Sequence, residues 1–137
     1  MAKRTVSHSR KLAVALARTC AENRCQDIAV LDLRKLSPVT DFFVLATGTS
    51  ARQMHAVADH VVQAGRDLGD KPFGREGFDS GWVLVDYVDV VVHVFTAEAR
   101  TYYDLELLWG DAPRVDWRRG WRPPLEADEA KPASEEA

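Results

Sequence analysis

Apolar and polar positions between residues 82 and 109 follow two periods in succession. Residues 82–86 and 89–95 are rich in Val and alternate in character, the period of a β-strand. Tyr87 and Val88 between them leave room for a two-residue hairpin turn. That spacing predicts Asp86 opposite Asp89, Leu84 opposite Val91 and Trp82 opposite His93, all on one face. The other face reads Val83, Val85, Val90, Val92 and Val94, a uniform aliphatic core surface. The first face carries an indole, an imidazole and two carboxylates. Facing carboxylates weaken a hairpin, so this pair either meets a cation or sits at a solvated turn. Val88 suits a primed turn badly, because such turns want positive φ.

The same patterns run through the rest of the chain. Leu12, Leu16 and Cys20, with Ala13 and Ala17 beside them, predict a helix that Ser9 is placed to cap. Residues 28–33 read as a strand. Asp41 then precedes FFVLATG, a second strand whose continuous apolar character implies burial on both faces. Ser50 and Gln53 form a capping-box pattern before a stripe of Met54, Val57, Ala58, Val61, Val62 and Leu68. Gly69 ends that helix and Pro72 prevents its restart. Phe73, Glu76 and Phe78 suggest a short edge strand. Thr96 caps a helix over residues 98–103, and Leu105, Leu108 and Trp109 continue at helical spacing. This order predicts an α/β fold, a mixed β-sheet layered with helices, with at least one antiparallel pair.

A length of 137 residues fits one domain. Residues 1–117 are predicted to fold, and residues 118–137 to form an acidic tail with too little apolar surface to pack. The basic residues before Glu22 resemble an organelle-targeting segment, but the apolar stripe running into the domain favours a domain helix. Charge divides unevenly. Residues 123–137 hold five acids and one lysine, net -4; the preceding 122 hold 17 basic and 16 acidic residues, net +1. A near-neutral domain does not look like a nucleic-acid binder working by phosphate neutralisation, and no direct sequence-specific nucleic-acid binding is expected. No apolar run is long enough to span a membrane. Cys20 and Cys25 lack a zinc-like partner set, which predicts free thiols in the cytoplasm.

Gly48, Thr49 and Ser50 lie between a strand and a helix N-terminus, where backbone amides can hold a phosphate. With Asp86 this sketches a Mg-dependent nucleotidyltransferase. Two-metal chemistry needs converging carboxylates, and no Asp-x-Asp occurs along a strand. His93 has no neighbour at ligand spacing, so packing on Trp82 is the simpler role. Tyr102, Tyr103, Leu105, Leu108 and Trp109 exceed what one short helix buries, which points to an interface with Trp anchors.

Several of these residues together resemble the ribosomal silencing factor, or Iojap, family. They are Leu36-Ser37, Thr40-Asp41-Phe42-Phe43, Gly48-Thr49-Ser50, Arg52-Gln53, Ala58-Asp59, Glu76-Gly77, Trp82, Asp86-Tyr87, the run 89–95, Arg100, Tyr103, Leu105-Glu106 and Leu108-Trp109. The resemblance covers about residues 9–117 and departs mainly at Val88, where the family usually has Gly in the hairpin turn. It implies a nucleotidyltransferase-like fold without a working catalytic set, and no cofactor or metal. It implies a translation repressor that binds ribosomal protein L-fourteen of the large subunit and blocks small-subunit joining. The predicted partner-binding residues are Trp82, Asp86, His93, Arg100, Tyr103, Glu106 and Trp109, with acids such as Asp86 and Glu106 suited to a basic partner. Off the ribosome, an uncovered sheet face invites a homodimer.

Overall fold

Thr5 opens the first helix, α1 (Val6–Glu22), by accepting the His8 N–H on its hydroxyl at 3.1 Å. The computed structural model describes residues 5–77 and 81–122. Ser9, predicted as the cap, lies one turn inside and is buried. Thr5 offers the same hydroxyl earlier, and the longer helix gains the Ser9 N–H to Thr5 carbonyl bond at 2.9 Å. The stripe of Leu12, Ala13, Leu16, Ala17 and Cys20 is fully buried, so α1 is a helix of the domain.

Then follow β1 (Gln26–Asp32), β2 (Phe42–Thr47), α2 (Ala51–Asp67), β3 (Gly74–Glu76), β4 (Trp82–Asp86), β5 (Val90–Phe95), α3 (Ala97–Tyr103) and α4 (Leu105–Leu108). The strands form one mixed sheet in the order β1-β2-β5-β4-β3. β2 and β5 are parallel; every other pair is antiparallel. Side-chain alternation sorts the sheet into two faces. Val44, Ala46, Val83, Val85, Val92 and Val94 join α1 and α2 in one core. Ala29, Leu31, Leu45 and Phe95 form a second, smaller core with Phe43, Trp82, Ala99, Leu105 and Trp109 packed against it. The predicted aliphatic and mixed faces of the hairpin are therefore the two faces observed.

The hairpin register differs from the predicted one by two residues. Trp82 pairs with Phe95, Leu84 with His93 and Asp86 with Val91. A shift of two preserves the faces, since the side-chain period is two. Its cause is the turn: Asp89 N–H donates to the Tyr87 carbonyl at 2.9 Å, and Val88 has φ +71°. That is an i to i+2 bond, a γ-turn rather than a primed β-turn. Asp89 consequently faces no carboxylate and is buried, its carbonyl accepting the N–H groups of Asp41 and Phe42. Tyr87 turns inward, fully buried, and its hydroxyl donates to the Val61 carbonyl at 3.2 Å. Gly65 makes room for that ring: a Cβ there would lie 2.3 Å from the phenolic oxygen.

Beyond Asp111, where the sequence pattern fades, the chain still packs. Asp32 N–H donates to Pro113 and Val115 N–H to Val30, extending the sheet along β1. Trp117 is buried, its indole donating to the Ile28 carbonyl at 3.2 Å, and Trp121 packs on it at 5.3 Å. Residues 123–137, most of the predicted tail, lie outside the described residues.

Candidate functional site

The mixed face of the sheet carries a chain of rings. Phe43 meets His93 edge-on at 4.5 Å, His93 lies 5.7 Å from Trp82, and Trp82 lies 4.5 Å from Tyr103. Trp82 Nε1–H donates to His93 Nδ1 at 3.1 Å. His93 is buried, and desolvation pushes its pKa down to about 3. The imidazole is therefore neutral and supports the half-buried indole from beneath.

Above these rings the chain turns sharply. Thr96 caps α3 by accepting Ala99 N–H at 3.1 Å. The helix predicted to continue through Trp109 breaks at Asp104, which adopts φ +45°. Asp tolerates this left-handed conformation and here serves twice, ending α3 and capping α4 through Leu107 N–H. The break rotates two apolar doublets outward. Tyr102 is 81% exposed, Leu107 77%, Leu108 70% and Tyr103 47%. Glu98 and Asp104 are exposed among them, so the apolar patch has an acidic rim. Thr96, Glu98, Ala99, Tyr102 and Tyr103 also line a groove of about 380 Å³.

Arg100 ties this unit to the sheet. Its Nε donates to Glu106 at 2.9 Å, and its Nη1 to Thr47 Oγ1 at 2.9 Å and the Asp27 carbonyl at 2.5 Å. The Arg100 guanidinium, with help from Arg114 at 3.4 Å, holds the Glu106 carboxyl below its ordinary pKa. Asp27 offers its carbonyl from a left-handed residue at a bulge in β1.

The predicted site residues thus divide by accessibility. Tyr103 is open to a partner. Trp82, Glu106 and Trp109 are partly open, Trp109 packing edge-on to Phe43. His93 and Arg100 act from below, as positioning groups. Asp86 stands apart at the hairpin turn, where its carboxylate accepts Val88 N–H at 2.6 Å. Tyr102 and Leu108 were expected only within the apolar excess, not among the partner-binding residues, and Leu107 was not singled out. Their signal was the adjacency itself: neighbouring large apolar residues on a short helix cannot all face one core.

The loop that the enzyme reading requires is filled by the chain's own groups. Gly48 N–H donates to the Phe95 carbonyl at 2.7 Å, and Thr49 N–H to Gln53 Oε1 at 3.0 Å. A Cβ on Gly48 would lie 2.2 Å from Met54 Cγ, so the loop is closely packed. Asp86 pairs with Val91 at the start of β5, while Gly48 adjoins its end at Phe95. The four residue steps from Val91 to Phe95 correspond to about 13 Å, too far for one ion to bridge. Among the described residues, no three His, Cys, Asp or Glu side chains converge as a metal set.

A mixed five-stranded sheet with helices on both faces places the chain in the α/β class. A crystal structure of a Chromobacterium violaceum protein shares the fold, with TM-score 0.69 and 39% identity over 78% of this chain and 88% of that one. The ribosomal silencing factor of Bacillus subtilis is 45% identical over 101 residues, 73% of this chain and 86% of that protein. A mouse protein named mitochondrial assembly of ribosomal large subunit protein 1 is 34% identical over 92 residues, 64% of this chain and 40% of that protein. The family described as ribosomal silencing factor during starvation matches residues 6–137, past the limit at Trp117 drawn from sequence. The chain belongs to the ribosomal silencing factor family. Its bacterial relatives carry the name of a regulatory factor, not of an enzyme.

Proposed function

We propose that this chain is a cytoplasmic translation repressor that docks on the large ribosomal subunit through ribosomal protein L-fourteen and sterically blocks small-subunit joining. The observation that carries this reading is the α3–α4 patch: Tyr102, Tyr103, Leu107 and Leu108 are exposed together within an acidic rim. Large aromatic and Leu side chains left in water mark an interaction site. The rim of Glu98 and Asp104 complements a basic partner, as a ribosomal protein is, and steers its approach. Trp82 lies behind the patch as its aromatic anchor. Occlusion needs no chemistry, consistent with a Gly48 loop whose amides are already engaged. Off the ribosome, the same patch is available to a second copy of the chain.

Pull-down of isolated L-fourteen tests the contact. Wild-type chain should retain it, and Leu107→Asp with Leu108→Asp should release it while melting as wild type does. Light scattering at micromolar concentration tests self-association, and the same pair of substitutions should abolish any dimer. Equal retention of L-fourteen by both proteins would remove the patch from the interface.

A further inference from the structure

Near-neutral net charge in the domain conceals a segregation. Residues 114–122, RVDWRRGWR, hold four arginines against one aspartate. After extending the sheet along β1, this strap crosses to α1. Its two indoles fix it there: Trp117 is buried, and Trp121 packs on Trp117 while donating to Glu22 at 3.1 Å. Arg18 of α1 binds the strap's main chain, donating to the carbonyls of Trp117 at 3.0 Å and Arg119 at 2.8 Å. Gly120, at φ +76°, completes a β-turn in which Trp121 N–H donates to the Arg118 carbonyl at 2.9 Å. The turn brings the second indole back onto the first and leaves Arg118, Arg119 and Arg122 exposed. The Arg118 guanidinium lies 4.8 Å above the Trp117 ring, which pre-orders it.

The cationic edge continues on α1. Arg10 and Lys11 are exposed and, with Arg18, border a shallow groove of about 330 Å³ that includes Val14 and Leu68. The acids of these two elements have donors already: Asp116 accepts Arg118 N–H at 3.1 Å, and Glu22 accepts from Trp121. α1 covers one face of the sheet, whereas α3 and α4 lie over the other. The chain therefore presents an apolar, acid-rimmed surface on one side and an arginine-rich edge toward the other.

We propose that this strap–helix edge binds the phosphate backbone of duplex RNA without reading its sequence. Arginines held on a fixed main chain lose little freedom on meeting phosphates, and their planar forks match phosphate geometry. Each neutralised phosphate releases counterions, so the affinity falls steeply with salt. The surface is cationic rather than apolar, which favours a polyanion over a folded protein surface. This contact is independent of the L-fourteen reading: naked RNA probes one and isolated protein the other.

The test titrates the full chain with a duplex RNA of about 20 base pairs in salt from about 50 to about 200 mM. Wild type should bind, with a strongly negative slope of log affinity against log salt. Arg118→Gln, Arg119→Gln and Arg122→Gln together should weaken binding by about tenfold or more at the lowest salt and flatten the slope by about 2, as losing two to three phosphate contacts does. Lys35→Gln, Arg52→Gln and Arg66→Gln remove the same charge from other exposed positions and should change affinity by less than about threefold. Thermal melts confirm that both triple variants fold. Equal losses in the two variants would make binding a net-charge effect and overturn the proposal. Failure of wild type to bind RNA, or tighter binding of an acidic peptide than of the duplex, would overturn it as well.

Discussion

Trp82 Nε1–H donates to His93 Nδ1 at 3.1 Å, and this bond settles which imidazole nitrogen carries the proton. Nδ1 accepts, so the proton of the neutral ring sits on Nε2, which is buried with no hydrogen-bond partner among the described residues. The imidazole is neutral because burial lowers its pKa from 6.5 to about 3.

A pH dependence follows from that burial. The unfolded chain takes up a proton near the ordinary imidazole pKa, and the folded chain does not until about pH 3. Stability from neutral His93 is therefore complete above about pH 6.5 and is lost as pH falls toward 3, by up to about 1.4 kcal/mol per unit. Melts between pH 7.5 and about 5, above most carboxylate titration, should show this fall in wild type. His93→Asn keeps an acceptor for Trp82 and should show a much flatter profile. Parallel profiles would place His93 in a more solvated setting.

Trp82→Phe isolates the hydrogen bond from the ring. It keeps aromatic contact with Tyr103 and Phe95 but leaves Nδ1 without a donor. An unsatisfied buried acceptor costs about 1–3 kcal/mol, which chemical denaturation would measure. Retention of L-fourteen by the folded variant should be nearly unchanged, since the apolar anchor remains. Full stability in Trp82→Phe would mean water replaces the indole.

Gly65→Ala tests the packing of Tyr87 on α2. The added methyl would meet the Tyr87 oxygen at 2.3 Å and its Cζ at 2.8 Å. Overpacking of this kind costs about 1–3 kcal/mol. Tyr87→Phe alone should cost about 1 kcal/mol through loss of the Val61 bond. The double variant should be less destabilised than the sum, because removing the hydroxyl relieves the closest clash. Strict additivity would show that the helix moves away instead.

Hydrophobic period carried most of the fold. Valine alternation assigned the two hairpin faces correctly, although the register was wrong. Periodicity survives a two-residue shift, whereas register depends on the turn, and a γ-turn with Val88 at positive φ has no sequence signature. The inward Tyr87 was hidden for the same reason. The strap 114–122 is held by two indole hydrogen bonds and arginine–carbonyl contacts, none of which leaves a repeating pattern. Of the proposed site, Tyr102, Tyr103 and Leu108 stood out in the sequence among more large apolar side chains than one short helix buries, and Trp82 by its place on the mixed hairpin face. The adjacency of Leu107 and Leu108 signalled that both could not face one core, whereas the left-handed Asp104 that turns them outward follows from no repeating pattern.

Arg100→Lys should loosen the whole patch. Lysine cannot reach Glu106, Thr47 and the Asp27 carbonyl together with one fork, as Arg100 does. Proteolysis and hydrogen exchange should report earlier opening across residues 97–108, with the α1–α2 core little changed. Binding to L-fourteen should weaken by roughly threefold to thirtyfold, the equivalent of about 0.7–2 kcal/mol. Unchanged exchange in α3 and α4 would show that Leu105 and Trp109 alone secure them.

Occlusion through the α3–α4 face would be read in subunit joining itself. Purified large and small subunits are mixed with the chain and separated on a density gradient. Wild type should travel with free large subunits and deplete joined ribosomes, while Leu107→Asp with Leu108→Asp should leave joining intact. Wild-type chain travelling with joined ribosomes, or a patch variant that blocks joining as well as wild type does, would contradict it.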